Sequence, residues 1–200
     1  MGRFMDVLVS IFILVLLSPL FLVIGFLIKL NSKGPVFFIQ KRIGRNNKLF
    51  KFYKFRTMKI GTPNVATDKL CGSKNYVTLI GKFLRKSSLD ELPQFFNTFK
   101  GDMTFVGPRP ALYNQYELKE LRTKVGVHLL LPGLTGWAQI NGRDNNDDYK
   151  KTEYDLYYLN NKSFLLNIKI LFKTVSKVLK AEGIVDDGDK KESLKNVKGK

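Results

Sequence analysis

A long uncharged segment near the amino terminus constrains the fold more than any other feature of this sequence. Residues 7–28 contain no acidic or basic side chain. As one helix the segment would be roughly 33 Å long, enough to cross a hydrocarbon core of about 30 Å. A cleaved signal peptide fits less well, because the apolar run is long and no small-residue cleavage site follows Leu30. The segment therefore predicts association with a membrane.

The dipeptide Ser18-Pro19, near the middle of this segment, predicts a break in the helix. Proline removes one backbone donor and clashes with the preceding turn. Two topologies remain open: a single-pass helix that tolerates the proline, and a re-entrant helix-break-helix that enters and leaves on one face. Length and hydropathy alone favour the span. In both cases the basic residues after Leu30 are expected on the cytoplasmic side, by the positive-inside rule.

The distribution of charge indicates anionic partners. The chain of 200 residues has a formal net charge of +17, and it contains no acid between residues 7 and 67. Residues 29–59 alone hold ten cations. Such a stretch is expected to bind phosphates or to lie against an anionic phospholipid membrane, at about 1 kcal/mol per cation near the surface. Nucleic acid is not an expected partner, because the chain has an apolar terminus and no recognisable nucleic-acid-binding motif.

The single cysteine and single histidine narrow the chemistry further. Cys71 cannot form an intramolecular disulfide, which fits a reducing compartment. One histidine and one cysteine are too few for a structural zinc site. His128 lies in the apolar run 125–131, so packing in the core explains it better than catalysis does.

Hydropathy patterns after the membrane segment predict a helix-rich α+β fold. Residues 35–43 and 49–55, rich in β-branched and aromatic side chains, predict a small β-hairpin around the turn at Arg45-Asn46-Asn47. Helices are expected at residues 77–86, 93–100, 111–124, 149–159 and 163–181. The last helix separates an apolar face (Ile168, Leu171, Val175, Val178) from a lysine face, so an ordinary surface helix and a membrane-surface helix both remain open.

An acidic pair, Asp90-Glu91, stands among cations and polar residues, directly after Arg85-Lys86-Ser87-Ser88-Leu89. Carboxylates in a positive field stay ionised, and they can attack phosphorus or hold a divalent metal. Ser88 and Glu91 also fit a helix capping box. Pro93 argues against the cap, because a helix that starts at Pro93 keeps all its donors and leaves both acids just ahead of its amino terminus. These residues alone leave chemistry and capping open.

Two further motifs suggest phosphate binding. In Gly107-Pro108-Arg109-Pro110 the prolines stiffen the backbone, which suits Arg109 for bidentate phosphate contact, although a solvated arginine on a rigid turn is the alternative. Pro132-Gly133-Leu134-Thr135-Gly136 and Asn141-Gly142-Arg143 have the composition of glycine-rich turns. Their amides could bind an anion and Arg143 would add a cation, but most Asn-Gly turns are only turns.

Taken together, the motifs resemble the bacterial sugar transferases, and more narrowly the small monotopic phosphoglycosyl transferases. The resemblance runs from about residue 4 to residue 183. It rests on Tyr53-Lys54-Phe55-Arg56-Thr57-Met58, Ser88-Leu89-Asp90-Glu91-Leu92-Pro93-Gln94, Lys100-Gly101-Asp102-Met103, Val106-Gly107-Pro108-Arg109-Pro110 and Pro132-Gly133-Leu134-Thr135-Gly136. One departure is Leu131, where many relatives have arginine, and it bears on sugar specificity more than on the reaction.

The resemblance implies transfer of a sugar 1-phosphate from a UDP-sugar to a polyprenyl phosphate, with undecaprenyl phosphate expected, as the first membrane step of bacterial glycan assembly. It implies that UMP is released, that Mg²⁺ is required, and that Asp90 is the nucleophile of a covalent phosphosugar intermediate. Glu91 would assist with metal or proton handling, so both acids are expected metal ligands. Four cations are expected to contact substrate phosphate: Arg109, Arg143, Arg85 and Lys59.

The same resemblance implies an overall organisation. A re-entrant membrane helix, residues 1–34 with its break at Ser18-Pro19, would precede a compact catalytic domain, residues 35–185, with amphipathic interfacial helices. Residues 186–200 are a charged tail that is expected to be disordered. Both termini would lie on the cytoplasmic face of the bacterial inner membrane, and a homodimer is compatible with this arrangement. The alternative to an enzyme is a non-catalytic, membrane-anchored basic scaffold that binds anionic lipid.

Overall fold

The computed structural model describes residues 2–63, 76–142 and 146–180. The chain begins with two helices, α1 (Arg3–Leu16) and α2 (Ser18–Asn31), followed by a hairpin of β1 (Phe37–Ile43) and β2 (Leu49–Phe55). The later elements are α3 (Leu79–Lys86), α4 (Gln94–Lys100), β3 (Thr104–Val106), α5 (Tyr116–Lys124), β4 (Gly133–Thr135), α6 (Trp137–Ile140), α7 (Asp148–Asn161) and α8 (Phe164–Leu179). The predicted helix-rich α+β class is confirmed. The predicted charged tail and Cys71 lie outside the described residues.

The apolar amino-terminal segment is a bent helix pair. α1 and α2 meet at an angle of 60°. Ser18 and Pro19 open α2, where the missing proline donor costs little, and the Ser18 hydroxyl donates to the Val15 carbonyl over 2.8 Å. Within the described ranges no helix alone has the length and hydropathy to cross a membrane, whereas the bent pair reaches them jointly. The bend lies where the sequence predicts a break, and the re-entrant topology stays a prediction.

The predicted hairpin is present and is tied to the helix pair. β1 and β2 pair antiparallel, with Phe37 opposite Phe55. Directly after β2, the buried side chain of Arg56 donates to the carbonyls of Ser32 and Lys33 over 2.7 and 2.9 Å. These carbonyls follow the last turn of α2, where helix geometry provides no partners for them. Arg56 therefore fixes the end of the bent pair against the hairpin.

Two apolar clusters stabilise the fold. One joins the bent pair to the hairpin and α3, and the other surrounds β3 and joins it to α6, α7 and α8. Burial of each large apolar side chain contributes roughly 1.5–3 kcal/mol. The buried members of the first cluster are Ile24, Ile28, Phe55 and Leu84; those of the second are Phe105, Val106, Ile140, Tyr158 and Ile170.

The prediction of a glycine-rich turn at residues 132–136 is wrong. Residues Gly133–Thr135 form β4, which pairs in parallel with β3. The glycines are explained by close backbone contact: a Cβ at Gly133 would lie 2.1 Å from the Gly107 nitrogen, and one at Gly136 would lie 2.1 Å from the Gly107 oxygen. No side chain fits at these positions, so this motif serves backbone packing.

The start of α5 was also predicted wrongly. The helix begins at Tyr116 instead of residue 111. Ala111 and Leu112 instead pair with the edge of the hairpin. The Ile43 amide donates to the Ala111 carbonyl over 2.9 Å, and Arg42 and Leu112 form an isolated antiparallel β-bridge. Because Pro110 directly precedes Ala111, this pairing places the end of the Gly107–Pro110 motif next to the hairpin.

The final helix, α8, has apolar residues on two sides. Its most buried residue is Ile170, which the predicted apolar face does not include, and Leu171 of that face packs partly buried against the same core. From that predicted face, Val175 is 58% exposed, and the neighbouring Phe172 is 74% exposed. An exposed apolar face is what a membrane-surface helix requires, and that interpretation remains a prediction.

Candidate active site

Asp90 and Glu91 lie in a short 3-10 turn, Leu89–Glu91, immediately before α4. Ser88 has a positive φ of 56°, which turns the chain sharply after α3. The Ser88 side chain makes no capping hydrogen bond, so the capping-box interpretation is wrong. α4 follows Pro93 and ends at Gly101, as the sequence predicts. The turn leaves Asp90 buried and Glu91 half-buried.

Lys54 connects the hairpin to both acids. Its Nζ atom lies 2.7 Å from Glu91 Oε1 and 3.7 Å from Asp90 Oδ2. Lys54 is not among the site residues predicted from the sequence. A usable signal was present: on a strand, alternate positions share a face, so Lys54 lies on the same face as Phe52, which is buried. A lysine that points inwards needs an anionic partner.

Arg109 also contacts the acidic pair, at Glu91. Its Nη2 atom lies 3.1 Å from Glu91 Oε1. The surrounding backbone is held at two carbonyls: Arg122 donates to the Arg109 oxygen over 2.9 Å, and Arg42 donates to the Pro110 oxygen over 2.8 Å. Two flanking prolines and two arginine contacts therefore fix the position of Arg109.

The other predicted cations have different positions. Arg85 lies close enough to Asp90 for their charges to interact, and its Nε donates to the Thr57 hydroxyl over 3.0 Å. Burial lowers the pKa of Arg85, and the charge of Asp90 partly opposes this. The Lys59 side chain is exposed, and among the described contacts none joins it to the acids. Arg143 lies outside the described residues.

The two acids have opposite pKa shifts. Burial raises the pKa of Asp90, and the pull of Lys54, Arg85 and Arg109 does not offset it. Burial opposes ionisation of Glu91 as well, but the charges and hydrogen bonds of Lys54 and Arg109 hold the pKa of Glu91 well below its usual range. Glu91 is thus a firmly ionised anchor for the two cations. Asp90 is the more basic carboxylate, and its nearest described cation is 3.7 Å away, which leaves its oxygens available for chemistry.

The acidic pair fits a divalent metal only in part. The described residues contain no cluster of three or more acidic, histidine or cysteine side chains. Mg²⁺ is commonly held by one or two carboxylates together with substrate phosphates and water. Asp90 and Glu91 supply such carboxylates, so the residues fit Mg²⁺ when a phosphate substrate completes the coordination.

Comparison with known proteins identifies related chains. The profile of a family described as bacterial sugar transferase matches residues 1–181. A UDP-N-acetylgalactosamine-undecaprenyl-phosphate N-acetylgalactosaminephosphotransferase from Aeromonas hydrophila is 40% identical over 187 residues, or 90% of this chain. A UDP-glucose:undecaprenyl-phosphate glucose-1-phosphate transferase from Klebsiella pneumoniae is 43% identical over 182 residues, or 88% of the chain. An uncharacterized sugar transferase, EpsL, from Bacillus subtilis strain 168 is 43% identical over 188 residues.

These relatives differ in length. The matched region is 44% of the Aeromonas protein and 39% of the Klebsiella protein, but 89% of the Bacillus protein. This chain therefore spans less than half of the first two relatives. The names of those two relatives also specify different sugars.

Proposed function

The chain belongs to the bacterial sugar transferase family, and on this premise we propose that it transfers a sugar 1-phosphate from a UDP-sugar to undecaprenyl phosphate, with release of UMP. The observation that carries the proposal is the unequal pairing of the two acids. Lys54 and Arg109 both contact Glu91 at Oε1, whereas Asp90 has no cation within 3.5 Å among the described ion pairs. A buried carboxylate in this state is suited to attack phosphorus.

The proposed reaction has two displacements at one phosphorus atom. A carboxylate oxygen of Asp90 forms a bond to the sugar-bearing phosphorus of the donor, and the bond from that phosphorus to the bridging oxygen breaks. UMP leaves with the bridging oxygen. A phosphate oxygen of undecaprenyl phosphate then attacks the same phosphorus, and the bond to Asp90 breaks, which restores the carboxylate. The covalent step allows the soluble donor and the lipid acceptor to react at different times.

The cations explain how two anionic substrates can meet at an anionic residue. Lys54, Arg85 and Arg109 surround the two carboxylates, so cations exceed acids by one in this cluster. Fixed cations offset the repulsion between the nucleophile and the phosphate, and they stabilise charge on the transferred group. Arg109 is held by its backbone, which leaves its guanidinium prepositioned for phosphate. Arg143 and Lys59 are proposed as additional phosphate contacts.

Mg²⁺ is proposed as the cofactor, with Asp90 and Glu91 as its protein ligands. When bound, Mg²⁺ would neutralise phosphate charge and stabilise the leaving UMP. Lys54 and Arg109 would keep Glu91 ionised and oriented for this role. A chelator is expected to abolish UMP release, and restoration by added Mg²⁺ is the measurement that checks it. Undiminished release in chelator would remove the metal from the proposal.

The proposed location is the cytoplasmic face of the bacterial inner membrane, with both termini on that face. Support comes from the 60° bend between α1 and α2 and from the ten cations of residues 29–59. A cysteine probe placed at Gly2 should react from the cytoplasmic side only. Labelling from the periplasmic side would contradict the re-entrant topology.

A direct experiment tests the proposed reaction. Purified protein is incubated with UDP-glucose, UDP-galactose or UDP-N-acetylgalactosamine, with and without undecaprenyl phosphate, and both UMP and lipid-linked sugar are measured. With the lipid present we expect repeated turnover and equal amounts of the two products with at least one donor. Without the lipid we expect no lipid-linked sugar and at most one UMP per protein molecule, released as the covalent intermediate forms. Donor labelled at the sugar phosphate should leave label on acid-quenched protein, removable by hydroxylamine.

The same assay separates the enzyme from a non-catalytic scaffold. A scaffold would bind anionic vesicles and release no UMP with any donor. Glu153→Gln is a suitable control, because it removes one negative charge at an exposed side chain. Label retention by Glu153→Gln but not by Asp90→Asn would support the covalent step, and equal retention by both variants would contradict it.

A further inference from the structure

A cavity lies apart from the acidic pair. It has a volume of about 600 Å³ and is formed where the start of α1, strand β3, residues 129–131 and the connection between α7 and α8 meet. This volume is within the usual range for a small-molecule site. Neither Asp90, Glu91 nor Arg109 lines it, so the proposed transfer reaction does not account for it.

The floor of this cavity is polar and contains an unsatisfied acceptor. Asp6 is 2% exposed, and its Oδ2 atom accepts a hydrogen bond of 2.9 Å from the Thr104 hydroxyl. Its Oδ1 atom is buried without a partner among the described residues. Leaving such an acceptor unpaired costs about 1–3 kcal/mol. Beside it, Tyr158 donates to Asn167 over 2.8 Å, which fixes the rest of the floor. A hydroxyl group in the cavity would provide the missing donor.

The cavity carries an excess of positive charge. Arg3, Arg45 and Lys162 line it together with one acid, Asp6, so three cations face one carboxylate. Arg3 is held by hydrogen bonds to the carbonyls of Thr98 and Phe99. Arg45 and Lys162 are exposed, and within the described parts of the chain they form no ion pair with an acid. Two unpaired cations beside a fixed arginine favour a phosphate group.

Apolar surface at the cavity indicates the source of that phosphate. Leu129 and Phe164 contribute apolar wall. Phe164 is 67% exposed, its neighbour Leu165 is 79% exposed, and Phe4 on α1 is 72% exposed. A soluble phosphate ester would make no use of this surface, whereas acyl chains would cover it.

We propose that this cavity binds the headgroup of an anionic glycerophospholipid that carries a free hydroxyl. Arg45 and Lys162 bind the lipid phosphate, and the headgroup hydroxyl donates to Asp6 Oδ1. The acyl chains lie along the exposed apolar residues of α1 and α8. The site differs from general attraction of the basic chain to anionic membranes, because it requires both a phosphate and a hydroxyl at fixed positions.

Lipid retention measured by native mass spectrometry tests the phosphate contact. The whole chain in detergent is given equal amounts of phosphatidylglycerol and phosphatidylcholine. We expect one phosphatidylglycerol to be retained with at least fivefold preference, and we expect the Arg45→Gln/Lys162→Gln variant to lose that preference. The control, Lys41→Gln/Lys124→Gln, removes the same charge from exposed lysines that do not line the cavity, and it should retain the preference. Equal loss in both variants, or no loss in either, overturns the proposal.

Two further ligands test the hydroxyl contact and the lipid source. Phosphatidylmethanol has the same phosphodiester charge as phosphatidylglycerol but lacks the headgroup hydroxyls, so we expect at least threefold lower retention. Equal retention of both lipids overturns the contact with Asp6. Glycerol 3-phosphate in hundredfold excess should not displace the lipid, and displacement would show a soluble phosphate ester as the ligand instead. None of these measurements requires turnover, so their failure is distinguishable from failure of the proposed reaction.

Discussion

Two clusters in the described part of the chain pair a buried aspartate with nearby cations, and the difference between them separates a structural role from a chemical one. In one, Asp155 receives two hydrogen bonds from the Nε and Nη2 atoms of Arg122 on a single oxygen. In the other, Asp90 and Glu91 share three cations unequally, because Lys54 and Arg109 both contact Glu91 Oε1. The first cluster is one acid matched to one guanidinium. The second leaves one acid without a close partner.

The pKa shifts alone would not distinguish the two clusters. Burial raises the pKa of Asp155 even though Arg122 contacts it directly, and burial also raises the pKa of Asp90. The two clusters differ in how closely a cation contacts the buried aspartate: Arg122 bonds directly to Asp155, whereas the nearest cation to Asp90 is 3.7 Å away. Arg122 uses its third nitrogen to hold the Arg109 carbonyl, so the structural pair supports the backbone of the candidate site. A perturbed pKa therefore indicates a site only when the partner contacts leave the group free to react.

The largest expected effect is at Asp90. Asp90→Asn removes the proposed nucleophile and should lower UMP release about 10⁴-fold or more. The measurement is the initial rate of UMP release with saturating donor and undecaprenyl phosphate. Glu153→Gln should remain within twofold of the unsubstituted protein. A rate for Asp90→Asn within tenfold would mean that Asp90 is not the nucleophile.

Breaking the ion pair between Arg122 and Asp155 should lower the free energy of unfolding. Asp155→Asn leaves the Arg122 guanidinium buried without its anion, and removing one partner of a buried pair costs about 3–5 kcal/mol. Urea denaturation measures the free energy of unfolding. The double variant Arg122→Met/Asp155→Leu removes both charges and should recover most of that loss. If Asp155→Asn costs less than about 1 kcal/mol, the pair contributes little to folding.

Lys54 is expected to raise the rate of UMP release through its charge, and not by stabilising the fold. Lys54→Met removes the closest cation from both acids and should lower the rate of UMP release about 10²-fold, as expected for loss of one preorganised electrostatic contact. Lys54→Arg should recover part of the rate. Lys51→Met is the matched control, because Lys51 is an exposed lysine on the same strand. Equal losses of rate in Lys54→Met and Lys51→Met would mean that the substitutions act by disturbing strand β2, and not by removing a charge from the site.

The smallest expected effect is a pair of stability changes of opposite sign. Because folding raises the pKa of Asp90, its ionisation destabilises the fold, and this cost grows as pH rises from the unfolded pKa through the folded pKa. Because folding lowers the pKa of Glu91, its ionisation stabilises the fold above the unfolded pKa, and that gain is lost as pH falls through the folded pKa. At pH 7.5, with chelator present, Asp90→Asn should stabilise and Glu91→Gln should destabilise, each by about 1 kcal/mol.

Thermal unfolding measured between pH 3 and pH 8 checks both signs. The stabilisation by Asp90→Asn should disappear at the acid end of this range, where the native carboxyl is protonated in both states. The destabilisation by Glu91→Gln should persist to a lower pH than for an ordinary glutamate. Changes of the same sign in both variants would show that the two acids are compensated alike.

Local sequence chemistry predicted much of the scaffold. The break near Ser18-Pro19, the hairpin turn at Arg45–Asn47 and the start of α4 after Pro93 each depend on backbone preferences of a few adjacent residues. Such preferences act within one turn of chain, so they are visible without a fold. Gly133 and Gly136 were visible in the sequence as well, but their purpose was not, because it is close contact with the distant backbone of Gly107.

The elements that the sequence did not predict depend on distant partners. α5 starts late because Ala111 and Leu112 pair with the hairpin edge at Ile43 and Arg42. Lys54 becomes a site residue only because β2 places it against a turn 37 positions later. Likewise, Ile170 on α8 is buried because it packs against residues of β3, α6 and α7.

By itself, the sequence determined the bent apolar terminus, the helix-rich class, the positive charge around one acidic pair and the resemblance to a transferase family. Only the tertiary structure decided how that charge is shared between Asp90 and Glu91, which cations reach them, and which acid has the weaker compensation. The physical reason is that Coulomb energy and desolvation depend on distances of a few ångströms between segments far apart in the chain. Backbone preference is local and can be read from neighbouring residues, whereas charge compensation exists only after the segments have packed.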